Sequence, residues 1–150
     1  MGKVSNVYLN VDPYLIVEEG YHQDRHQVSE SIFSLANEYM GVRDFFEEGY
    51  SGKQLIGTYF NGIIENALEE TPNAYKGIAK RTHFTINSVN FFKCKLTVQG
   101  EELDLNKSSF KDFKRVLDMR SGLLTREFVW LVKGHEIKNK FSRLLDMVQC

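Results

Sequence analysis

FKRVLDMRSGLLTREFVWLV, residues 113–132, is the stretch whose reading decides the fold. Arg120, Ser121 and Gly122 are turn-forming residues set between two runs of branched and aromatic side chains, so the segment reads as a β-hairpin. Its return strand, Leu124 to Val132, places Leu124, Phe128, Trp130 and Val132 on one face and Val129 and Leu131 on the other. Apolar character on both faces predicts an interior strand covered on each side.

The same pattern extends in both directions. NFFKCKLTV, residues 90–98, alternates Phe92, Cys94, Leu96 and Val98 against Phe91, Lys93, Lys95 and Thr97, as a half-buried strand does. Gln99 and Gly100 then form a tight turn, and EELDL, 101–105, is the expected return strand. Gly134 turns the chain once more, and KFSRLLDMV, 140–148, reads as a last strand or a short helix. Nearer the N-terminus, VSESIFSLA, 28–36, can be drawn as a helix with Val28, Ile32 and Leu35 on one side, or as a strand. Asn37 and Gly41 oppose a long helix, which favours strands at 30–36, 39–43 and 56–64. Residues 65–82 are the least apolar stretch and carry Pro72 and Gly77, so a surface excursion is expected there. Its approach, IIENALEE at 63–70, can hold a short helix ending before Thr71. Many short strands separated by glycine-centred turns predict a mainly β protein, an antiparallel β-sandwich.

With 150 residues and 42% hydrophobic side chains, the chain has the material for one domain with a substantial core. Nineteen basic side chains against twenty acidic ones leave no positive excess to neutralise phosphates, which argues against a nucleic-acid partner. No apolar run is long enough to cross a bilayer, and MGKVSNVYLN has no signal-peptide block, so no membrane partner is expected. MGKVSN begins like a myristoylation signal, but Asn6 stands where Ser or Thr is required. Cys94 and Cys150 suggest neither a disulfide framework nor a metal site, consistent with a reducing, cytoplasmic setting.

Chemistry-bearing residues are present but not in catalytic patterns. The adjacent pairs Glu18–Glu19, Glu47–Glu48, Glu69–Glu70 and Glu101–Glu102 would point to opposite faces of a strand, so none can flank one glycosidic bond; each reads as a solvated edge or turn. His22 and His26 have one-turn spacing but no third ligand, so no metal site is assigned. No nucleophile elbow or phosphate-cradling glycine loop occurs, and no catalytic residue and no cofactor are assigned. Trp130 reads as core, whereas Tyr39, Tyr50 and Tyr59 lie beside glycines or turn residues and are candidate exposed rings. Within NEYMGVRDFFEEGYSG, 37–52, the glycines and Asn37 are expected to permit tight reversals, some at positive φ. Arg43, Glu47 and Glu48 are candidates for ion pairs across a turn. Together with Tyr50 they are the candidate residues for facing a sugar or a neighbouring domain.

Several blocks, in order, resemble one family. PYLIVEEGYHQDRHQVSESIFSLANEYMGVRDFFEEGYSG, from Pro13, is similar to the start of the maltose, kojibiose and trehalose phosphorylases of glycoside hydrolase family 65. LIGTYFNGI at 55–63, GEELDL at 100–105, FKRVLDMRSGLLTREFVW at 113–130 and RLLDM at 143–147 continue the likeness; residues 65–90 match least. The resemblance implies an N-terminal, galactose-mutarotase-like super-sandwich, incomplete at its C-terminus, spanning residues 1–150 of a longer enzyme. In that family a separate (α/α)6 barrel carries the general-acid glutamate and the phosphate site. Inorganic phosphate is the co-substrate, and an α-linked glucose disaccharide is cleaved with inversion. The barrel is absent here, so the fragment alone is expected to be inactive. Its expected partners are that barrel and a second copy in a homodimer. An independent carbohydrate-binding sandwich, offering Tyr39, Tyr50, Tyr59 and Trp130 as rings, is the alternative, and a purely oligomerising domain a third reading.

Overall fold

The computed structural model describes residues 8–66 and 83–146. Its main sheet is five-stranded and antiparallel, in the order β1 (Leu9–Val11), β2 (Leu15–Glu19), β9 (Phe110–Asp118), β10 (Leu123–Val132), β11 (His135–Arg143). A second sheet joins β3 (Leu35–Ala36), β4 (Met40–Val42), β5 (Thr58–Asn66) and β6 (His83–Asn87). A two-stranded ribbon pairs β7 (Thr97–Val98) with β8 (Glu101–Glu102), and one helix, α1 (His26–Ile32), follows a single 3-10 turn. The protein is a mainly β, antiparallel sandwich, as its alternating runs predict.

Turn chemistry sets the hairpin registers. The β10–β11 loop is the pair Lys133–Gly134, and the β7–β8 loop is Gln99–Gly100; all four residues have positive φ. This mirror-image turn matches the twist of the strands it joins, which is why glycine occupies the second position of each. The β9–β10 loop is longer, and Gly122 N–H closes it by donating to Asp118 O at 2.9 Å.

The core lies on one face of the main sheet. Phe46, Leu103, Leu105, Phe113, Phe128, Trp130 and Val132 form one buried cluster, and Phe33, Leu35, Leu117 and Leu124 form a second. Between β9 and β10 the register slips at Glu127/Val129, opposite Asp112, whose φ is +54°. That bulge changes the strand's phase, so Phe110 and Phe113, three apart, both reach the first cluster.

Several local expectations differ from the structure. β10 is interior to its sheet but covered on one face only: Val129 is half-buried and Leu131 is 38% exposed. Residues 30–32 are helical, not strand. One helical turn brings Glu30 back to His26 and aims its second carboxylate oxygen at Leu55 N–H, at 2.7 Å, a pairing an extended chain would not make. Residues 91–96 do alternate in exposure, yet they form no ladder, because their neighbour is the irregular 47–49 segment and Cys94 N–H finds only Glu47 O there. Ile63–Asn66 belong to β5, not to a helix; the remainder of that expectation and the excursion at 67–82 lie outside the described residues. KFSR completes β11, and the chain leaves the strand after Arg143.

Candidate functional site

Inward positions along a strand recur every second residue, and in β9 and β10 two of them are arginines. Arg115 sits between Phe113 and Leu117, and Arg126 between Leu124 and Phe128. Register places Glu18, Arg115, Arg126 and Phe141 side by side across four strands, and Arg143 opposite Leu124. Guanidinium groups buried in this way must meet acids. The segment after β4, residues 43–48, brings them over the sheet.

The contacts close on one another. Arg126 donates through Nε to Glu48 at 2.9 Å and through NH2 to the other Glu48 oxygen at 2.6 Å, a two-pronged pair. Its NH1 donates to Asp44 Oδ1 at 2.9 Å, and NH2 also reaches Glu47. Arg115 NH1 donates to Asp44 Oδ2 at 2.7 Å, while its Nε lies 3.3 Å from Glu18. Arg143 donates to Glu47 and, at 2.9 Å, to the carbonyl oxygen of Arg43. The rings of Phe46 and Phe141 lie 4.7 Å and 5.6 Å from the Arg126 guanidinium carbon.

Burial and charge pull on these groups in opposite directions. Burial alone would raise Glu47, but Arg126 and Arg143 together hold its carboxyl below the usual range. Burial pushes Glu48 up despite Arg126, and pushes Glu18 up more than Arg115 draws it down. Burial would lower Arg126, yet Glu48, Asp44 and Glu47 outweigh it and hold the guanidinium above its ordinary value.

The candidate residues therefore have distinct fates. Glu47 and Glu48 are brought together on Arg126. They are not a solvated pair: Glu48 is buried, and both can face one cation because residues 47 and 48 form a turn, not a strand. Arg43 joins through its backbone, its carbonyl accepting from Arg143 and its N–H donating to Gly57 O at 2.9 Å, while its side chain donates to Ser31 Oγ. Tyr50 stands apart, packed on His26 and Phe46 with ring centroids 4.5 Å and 5.4 Å away. Gly49 explains how the turn passes the sheet. Its φ is +128°, and a Cβ there would lie 2.5 Å from Leu103 O. Gly41, by contrast, sits in β4 and needs no positive φ.

Asp44, Arg115, Arg126 and Arg143 are not singled out by sequence. Glu18, read with Glu19 as a solvated edge or turn, is instead buried on β2 opposite Arg115, while Glu19 alone faces outward to Lys114. The available signal was the interruption of an inward apolar alternation by arginine at 115 and 126.

As a site, this arrangement binds itself. The void among Asp44, Glu47, Leu124, Arg126 and Arg143 is about 10 Å3, too small to admit a ligand. A cleft of about 490 Å3 opens beside it, lined by Glu47, Tyr50, Gln54, Asn90, Lys93 and Asp104 among others. The ring of Tyr50 offers little stacking surface there, since a Cβ on Gly52 would come within 2.5 Å of it. Trp130 is 2% exposed, and Tyr59 lies close against Gly57, leaving Tyr39 as the most exposed of the four candidate rings. His26 is buried 3.3 Å from Glu30, and His22 lies 3.3 Å from Glu19 O. Among the described residues no group of three or more His, Cys, Asp or Glu is placed to hold a metal.

Comparison with known proteins gives this geometry its context. The family model described as glycosyl hydrolase family 65, N-terminal domain, matches residues 16–150. The maltose phosphorylase of Bacillus subtilis (strain 168) is 32% identical over 137 residues, covering 91% of this chain and 18% of that protein. The alpha,alpha-trehalose phosphorylase of Thermoanaerobacter brockii is 37% identical over 140 residues, again 91% of this chain and 18% of the relative. A solved structure titled putative kojibiose phosphorylase from human microbiome superposes with a TM-score of 0.84 at 65% identity, covering 94% of this chain and 19% of its own. The chain thus spans about a fifth of the length of the relatives it matches.

Proposed function

This chain belongs to glycosyl hydrolase family 65, to its N-terminal domain, and from that premise we propose that it is the non-catalytic front domain of an inverting phosphorylase acting on an α-linked glucose disaccharide. The observation that carries the reading is the family match over residues 16–150, together with the likeness to maltose, trehalose and kojibiose phosphorylases about five times as long as this chain. In this reading, phosphate and sugar are handled by a separate catalytic barrel, and the domain's own work is packing against it in a cytoplasmic homodimer. Two features support that division of labour. Of the acids lining the cleft, Glu47 is held by Arg126 and Arg143, Glu102 pairs with Lys95 at 3.0 Å, and Asp104 lies 3.5 Å from Lys107 and accepts from Ser51 N–H, whereas a general acid needs a carboxyl free to exchange its proton with substrate. The β5–β6 ribbon leaves Ile63, Ile64, Phe84 and Ile86 exposed, an apolar surface of the kind that packs on a neighbouring unit.

Incubating the 150-residue chain with maltose, trehalose or kojibiose plus inorganic phosphate tests the first part. No glucose 1-phosphate above a blank is expected, and its release would overturn the reading. Calorimetric titration with gluco-oligosaccharides separates the carbohydrate-binding alternative, which the burial of Trp130 and the covering of Tyr50 weigh against. A flat titration is expected.

A further inference from the structure

We propose that the buried arginine–carboxylate network carries one proton at neutral pH, that it resides on Glu18, and that its loss on the alkaline side loosens the seam between β2, β9 and α1. The network contains four carboxylates, Glu18, Asp44, Glu47 and Glu48, and three guanidinium groups, Arg115, Arg126 and Arg143. With every group ionised, one negative charge would stand uncompensated in a layer where only Glu47, 13% exposed, reaches the cleft, and such a site neutralises itself by taking up a proton.

Hydrogen bonding selects the carboxylate. Asp44 accepts from both Arg115 and Arg126, Glu47 from Arg126 and Arg143, and Glu48 accepts twice from Arg126. A proton on any of these would forfeit a charge-assisted bond. Glu18 accepts none from an arginine. Its Oε2 and the Nε of Arg115 face each other at 3.3 Å, yet each is buried without a hydrogen bond. Arg115 spends one NH group on Asp44 and stacks its cation against Phe33, Phe46 and Phe113, 5.2 Å, 5.2 Å and 5.5 Å from their centroids. Its Nε and NH2 remain buried without a hydrogen bond, and a neutral Glu18 still presents a carbonyl oxygen to that Nε.

The remaining groups that face Glu18 are few. They are Ser29 on α1, His22 at the start of the 3-10 turn, and Asp44 across the layer. Glu19, next on β2, pairs outside with Lys114 at 3.1 Å. Ser29, whose hydroxyl also lies 3.4 Å from Tyr8 OH, favours the ionised Glu18 carboxyl, as Arg115 and His22 do; burial, the largest effect, outweighs them. Burial displaces the carboxyls of both Glu18 and Glu48 upward, and the two hydrogen bonds from Arg126 to Glu48 are what distinguish them. A carboxyl raised in the folded state favours folding below its unfolded value, and that contribution is lost as pH rises through the folded value.

Carbon-13 NMR of glutamate-labelled protein reads the proton directly, with the Glu18 and Glu48 carboxyl signals assigned by through-bond correlation. The Glu18 signal is expected to titrate above neutrality and that of Glu48 to remain in its ionised position between about pH 5 and pH 9. Urea unfolding over the same range provides a second measurement. E18Q, which keeps the shape of the neutral acid, should match the wild type at the acidic end. Above neutrality its midpoint should exceed the wild-type midpoint by a growing margin, while E48Q should unfold at lower urea throughout. A Glu18 signal titrating in the ordinary carboxylate range, titration of Glu48 in its place, or an E18Q midpoint below wild type at every pH would each overturn the proposal.

Discussion

At residue scale, Arg126 concentrates the most consequence in one side chain. Truncating one member of a buried charged network leaves its partners buried and unpaired, so R126A should lower unfolding free energy by about 3–5 kcal/mol in urea titration. Gly49 is the second such position. G49A asks an L-residue to hold φ of +128° and drives its Cβ into Leu103 O, so a loss above about 1 kcal/mol is expected. Arg126 is shut away from solvent, whereas Gly49 lies on the wall of the cleft with its backbone against Leu103.

Arg115 and Arg126 also show how far a pattern can be read. Their inward phase follows from the alternation of β9 and β10, which is written in the chain. Their partners come from residues 44–48 and Glu18, some seventy to a hundred positions away in sequence, and adjacency rules favoured an exposed Glu47–Glu48 pair. Burial of that pair depends on a turn that lets neighbouring residues face the same way.

At the scale of elements, the hairpins were legible because their turns are local chemistry. Lys133 adopts φ of +48° in the β10–β11 loop, where asparagine or glycine is less strained. K133N should therefore raise stability by up to about 1 kcal/mol, measured as a higher thermal midpoint. Helix α1 was less legible, since VSESIFSLA satisfies two periods at once. The helix is selected by what surrounds it: Glu30 is held by His26 one turn back and by Leu55 N–H from another segment. The run at 91–96 erred in the other direction. Period two was correct, but a strand requires a partner with a free ladder, and the neighbouring chain turns away.

At the scale of the molecule, two properties become measurable. Glu47 is held below its ordinary value of 4.5 by Arg126 and Arg143 against the effect of burial. Its contribution to stability is therefore present above that unfolded value and lost as pH falls through the lower, folded one. Urea midpoints should fall on acidification in the wild type and fall less in E47Q. The exposed apolar residues of β5 and β6 predict association of the isolated chain, read by light scattering. I63K combined with F84K should return it toward the monomer with little loss of stability, since both side chains are already half in solvent.

By itself the sequence determined the antiparallel β character, the main hairpins and the family, because alternation, turn residues and ordered motif blocks are properties of contiguous chain. Only the tertiary structure decided which face of β10 is covered, that Glu48 is buried and Glu47 turned onto the same arginine, and that three arginines and four acids meet in one layer. Those outcomes depend on which distant segments come to lie against the sheet, and the energy of a buried charge is set by such neighbours, not by its position along the chain.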